Sequence, residues 1–141
     1  MTSSTLARAY LEKATKRVRV LEVLLEQEAY SDVVREAQEL VELALKGVLR
    51  AVGIDPPKWH DVGPVLDEHS RLLPAGVQAQ VPRLREISRW LRREREFAFY
   101  GDIDFIPTEE YSRADAEQAM ADARFVLESA RRVILGKNAG T

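Results

Sequence analysis

The sequence predicts an all-α protein: an antiparallel, up-and-down bundle of four long helices and one short one. Three observations predict it. Apolar residues recur with the 3.6-residue period of core-facing helices through most of the chain. No segment shows the sustained alternation of a half-buried strand. Glycine and proline gather where helical patterns end, as in Gly53-Ile54-Asp55-Pro56-Pro57 and at Pro74. At 141 residues the chain is one domain by length, spanning 1–141, with a small, polar tail from about residue 136 expected to fray.

The first helix is expected from about Thr5 to Glu28, with Leu6, Tyr10, Ala14, Val18, Leu21 and Leu25 on its apolar side. Ser31 and Asp32 read as the N-cap and first-turn acid of the second helix. Neither glycine nor proline separates these two helices, so one continuous helix is the alternative. In the second helix Val34, Ala37, Val41, Ala44, Leu45, Val48 and Val52 fall within about 60° of one line. Leu40, Leu43 and Gly47 form a smaller apolar line on another face. A helix with two apolar lines packs against more than one neighbour, so this one belongs at the centre. Gly53 and the two prolines stop it.

A short third helix is expected from about Asp61 to Leu73, ended by Pro74. The fourth starts near Gly76, with Val77, Val81, Leu84, Ser88, Leu91, Ala98 and Phe99 on one face. The run from Gly101 to Pro107 reads as a loop. Thr108 then caps the fifth helix, with Glu109 and Glu110 at its positive end. Ala116, Ala119, Met120, Ala123, Val126, Leu127, Ala130 and Ile134 line the core side of that helix.

Composition narrows the function. With 21 basic and 23 acidic residues the formal charge is −2, so tight, sequence-independent binding to long nucleic acid is not indicated. The absence of cysteine excludes disulfides and thiolate metal sites. No apolar run approaches the ~20 residues of a membrane span, and the N-terminus lacks the apolar core of a signal peptide. A cytoplasmic protein without a membrane partner is the expectation.

Arg95 is the leading candidate site residue. Counting 100° per residue from Val77, it returns to the middle of the fourth helix's apolar stripe, where an unpaired guanidinium is costly. A structural role would have it snorkel, or pair with Glu94 or with Asp102 or Asp104. A functional role would have it bind a phosphate or nucleobase in a shared cleft. Arg83, Arg85, Arg89, Arg92 and Arg93, interleaved with Trp90, give the same helix a basic flank, which reads as a solvated face or a surface for phosphates. His60 precedes Asp61, the expected cap of the third helix, and is read as structural; its spacing from His69 matches no compact metal-ligand pattern. His69 reads as solvated. Asp102 and Asp104 read as turn acids ahead of a helix rather than metal ligands. Neither a metal nor a cofactor is expected.

The order Ala29-Tyr30, then Glu42-Leu43-Ala44-Leu45-Lys46, then His60-Asp61 and an amphipathic turn resembles the HEPN family of small helical domains. The resemblance covers almost the whole chain. HEPN proteins that cleave RNA carry an Arg, four to six further residues and a His, and two subunits join two such motifs in a metal-independent site. Here Arg95 matches the Arg, but the position five later is Tyr100, and no histidine follows His69. A phenol of ordinary pKa near 10 is a poor general base at neutral pH. The pattern instead resembles the HEPN branch paired with a separate minimal nucleotidyltransferase. The resemblance implies a homodimeric interaction and nucleotide-binding module in a toxin–antitoxin or regulatory pair rather than an enzyme, with Arg95, Tyr100 and Arg92 contacting nucleotide or RNA. The alternative it leaves is a metal-independent RNase toxin using Arg95 and Tyr100.

Overall fold

The computed structural model describes residues 3–58, 61–99 and 110–136 (backbone alone at 3 and 96–99), and every regular element among them is helical. Four long helices, α1 (Ser3–Glu26), α2 (Tyr30–Ala51), α5 (Val81–Phe99) and α6 (Arg113–Ile134), form the bundle. Two short helices, α3 (Val62–Glu68) and α4 (Ala75–Gln78), bridge α2 to α5, with a 3-10 turn at Ser70–Leu72 between them.

The helix α2 is central, packing against α1, α5 and α6. Its main apolar line is buried from Val34 to Val48, with Val52 half-buried. The second line is also covered within this one chain: Leu40 and Gly47 are buried, and Leu43 is half-buried. That line therefore requires no second subunit. At Gly47 both α1 and α6 approach α2 closely. A Cβ there would lie 3.0 Å from Ile134 Cδ1 and 3.3 Å from both the Ala7 carbonyl oxygen and Tyr10 Cβ. On α1 the buried stripe is Ala7, Leu11, Ala14 and Leu21, with Leu6 and Tyr10 at its half-buried edge. The small Ala7, whose carbonyl faces Gly47, lets the two backbones approach. All eight expected core positions of α6 are buried.

One helix ends without help from the usual signals. The break between α1 and α2 falls at Glu28, whose φ of 59° is left-handed. Ala29 N–H donates to the Leu24 carbonyl at 2.9 Å and Glu28 N–H to that of Leu25 at 3.0 Å, the paired bonds of a Schellman turn. Glutamate occupies a place that glycine would fill more cheaply. The continuous-helix alternative is thereby excluded, and α2 starts at Tyr30 with Ala29 as N-cap and no side-chain cap from Ser31. The same turn ends α2, this time with Gly53 at φ 84°.

The expected fourth helix is likewise divided. Pro82 lacks the N–H that would bond the carbonyl four residues earlier, so α4 stops at Gln78 and α5 begins at Val81. The last helix begins at Arg113, capped by Ser112 rather than by Thr108, which lies outside the described residues. Ser112 Oγ accepts from Asp115 N–H at 3.2 Å, and Ser112 N–H donates to Asp115 Oδ2 at 2.9 Å. This reciprocal capping box satisfies two otherwise orphaned donors. Asp61 caps α3 as expected, accepting from Gly63 N–H at 3.0 Å and from Ser88 Oγ at 2.8 Å, which ties α3 to α5. Among the described residues no helix is long and apolar enough to cross a membrane.

Candidate functional site

The buried positions of α5 follow Leu84, Ser88 and Leu91, and Arg95 is the next residue of that stripe. By Arg95 the stripe has left the core: its side chain is 46% exposed. Its partner is Glu39 of α2, at 2.6 Å, and not Glu94. Asp102 and Asp104, the other expected partners, lie outside the described residues, as do Tyr100 and His60.

One turn further into the bundle the pattern repeats. The Arg92 charge lies near Glu42, and burial raising that carboxyl's pKa is outweighed by bonds from Gln38 and Lys46 and by the Arg92 charge. The result is a carboxyl held below its ordinary value. Gln38 Nε2 donates to Glu42 Oε2 at 2.8 Å, and Lys46 Nζ sits 3.0 Å from Glu42 Oε1. Three residues forward on α2 thus match three residues back on α5, as antiparallel neighbours require. Arg92 and Arg95 are brought together on one polar seam whose acids come from α2.

Tyr111, which the sequence reading passed over, closes this end of the bundle. It is 7% exposed, and its hydroxyl donates to Glu94 Oε1 at 3.0 Å. Burial, then the bond to Glu94, pushes its phenol well above the ordinary value, so it stays a donor at neutral pH. Tyr30, the first residue of α2, is within hydrogen-bonding reach of Arg113 at the start of α6. Tyr111 was legible in principle, since an aromatic before a Ser-x-x-Asp box is a staple signal. Gln38 also left a trace, as a polar residue at the edge of the apolar arc of α2. Among the described residues no three histidine, aspartate or glutamate side chains are grouped to hold a metal ion.

Because the pair is half-exposed and accessible to solvent, it contributes little to stability. Arg95→Met is expected to lower the unfolding free energy by no more than about 1 kcal/mol. A loss of about 3–5 kcal/mol on urea unfolding would instead mark Arg95 as half of a buried pair.

The HEPN domain model matches residues 7–133, from the first buried residue of α1 to the last turn of α6. The chain belongs to the HEPN family. Over 86% of its length this HEPN domain is 28% identical to a candidate toxin of Methanocaldococcus jannaschii, MJ1304, of which 84% is covered. No solved structure matches it. The seam of Arg92 and Arg95 is therefore a feature of a HEPN bundle.

Proposed function

We propose that this HEPN domain is a homodimeric, nucleotide-binding interaction module that pairs with a separately encoded nucleotidyltransferase in a toxin–antitoxin or regulatory pair. The observation that carries this reading is the missing imidazole: five residues after Arg95 stands Tyr100, and no histidine follows His69. Without it the Arg95–Tyr100 motif itself has no group that titrates near neutral pH to move a proton off a ribose hydroxyl. What remains is suited to binding. A guanidinium has five N–H donors, and a half-exposed pair with Glu39 can share or exchange its carboxylate for a phosphate at small cost. The toxin name carried by the Methanocaldococcus jannaschii relative supports the toxin–antitoxin setting.

That same name favours one rival, an RNase toxin acting through Arg95 and Tyr100. One preparation separates the two. Light scattering at micromolar concentration should give about twice the 16.0 kDa chain mass. RNA incubated with the same sample should remain intact. Efficient cleavage that disappears in Arg95→Ala would establish the RNase reading, and a monomeric mass would remove the dimer.

A further inference from the structure

The side of α5 turned away from Arg95 carries a second concentration of ligand-binding chemistry. At 100° per residue, Arg89, Trp90 and Arg93 span about 100° of helix surface, centred nearly opposite Arg95. Trp90 is half-buried and packs against the core, so its indole is held in place. It is also the wall between two clefts. One, of about 440 Å³, is bordered by Arg85, Arg89 and Arg93; the other, of about 360 Å³, faces Gln118 and Asp122 of α6. Glu86 borders both.

The arginines differ in how far they are committed. Arg83 lies over the Phe125 ring, 3.8 Å from its centroid, and Arg85 pairs with Asp67 at 2.8 Å. Arg93 is 67% exposed, and its ion pair among the described residues is a long 3.7 Å contact to Glu94. Arg89 is exposed and makes no ion pair among the described residues. Two accessible guanidiniums thus stand one turn apart, about 6 Å along the axis, beside an indole fixed by the core. Aromatic stacking combined with arginine–phosphate contact is the chemistry of sequence-tolerant single-strand binding.

We infer that Trp90, Arg89 and Arg93 form a nucleotide-binding platform on the outer face of α5, separate from the Arg95 seam. A base stacks on the Trp90 indole while Arg89 and Arg93 hold its phosphate. Glu86 repels phosphate from the middle of the face and accepts from a ribose hydroxyl or an exocyclic amine. The nucleotide is either free or one unit of a single RNA strand. The overall charge of −2 keeps the contact to a few phosphates.

Fluorescence anisotropy with labelled ten-nucleotide oligo-U and oligo-A RNA at low salt tests this, with UMP and AMP as competitors. Trp90→Leu should weaken binding about ten-fold, whereas Trp90→Phe, which keeps a ring, should retain most of it. Arg89→Ala and Arg93→Ala should each weaken binding several-fold for both sequences and flatten its salt dependence. Arg8→Ala, at an exposed arginine of α1, should change it less than two-fold. Competition by millimolar UMP or AMP identifies a mononucleotide site; competition by oligonucleotide alone identifies a strand site. Wild-type affinity in a folded Trp90→Leu protein overturns the platform, as does absence of binding by the wild type. Equal displacement by polyglutamate also overturns it, in favour of an acidic protein partner. Binding lost only in Arg95→Ala would uphold the Arg95 site and reject this one.

Discussion

Replacing Tyr111 with alanine will lower the unfolding free energy by about 3–5 kcal/mol, the range for removing a large buried ring. The side chain is 7% exposed and belongs to the hydrophobic core, so truncation leaves a cavity where α5 ends and α6 begins. It also removes the donor to Glu94, on the residue next to Arg95. Tyr111→Phe separates the two contributions. It keeps the ring and should cost about 1–2 kcal/mol, because the Glu94 carboxylate is partly exposed and water can replace the hydroxyl. Urea unfolding of both variants measures the difference. A loss below about 1 kcal/mol for the alanine variant would mean that this end of the bundle is held by something other than Tyr111.

Gly47→Val should cost about 2–3 kcal/mol through overpacking. The three contacts that a Cβ would meet come from two of the helices packed on α2: Ile134 on α6, and Ala7 and Tyr10 on α1. The Ile134 methyl can swing aside, but the Ala7 carbonyl is backbone and can move only with its helix. Gly47→Ala is the informative control, since two effects of similar size oppose each other. Alanine gains about 1 kcal/mol in helix propensity, against about 1–3 kcal/mol of overlap. Its net effect should stay within about 2 kcal/mol. A valine variant as stable as the parent would show that the three helices are farther apart than the structure has them.

These two residues also divide what is local from what is not. The core face of α6 is readable from spacing because period and burial are properties of one helix. The centrality of α2 follows from its two apolar lines in the same way, with Gly47 on the second line meeting α1 and α6. Helix ends were less legible. Glu28 in the left-handed region has no glycine to announce it, and Thr108 followed by two glutamates drew the cap away from Ser112. Pro82 was in plain view, yet its effect on α4 and α5 depends on which residues flank it.

The site shows the same division more sharply. The place of Arg95 on the α5 stripe, the missing histidine and the HEPN pattern are all present in the linear order of residues, since each is a matter of identity and spacing. The partner of Arg95 is not. Glu39 and Glu42 face Arg95 and Arg92 because α2 and α5 pack antiparallel in one register, and that register is set by the cores of both helices together. The Glu94–Tyr111 bond likewise joins α5 to the residue before the cap of α6, and their approach depends on everything packed beneath them. Periodicity is local and can be read along a chain. Which charges meet depends on how apolar faces fit one another, and only the packed bundle decides that.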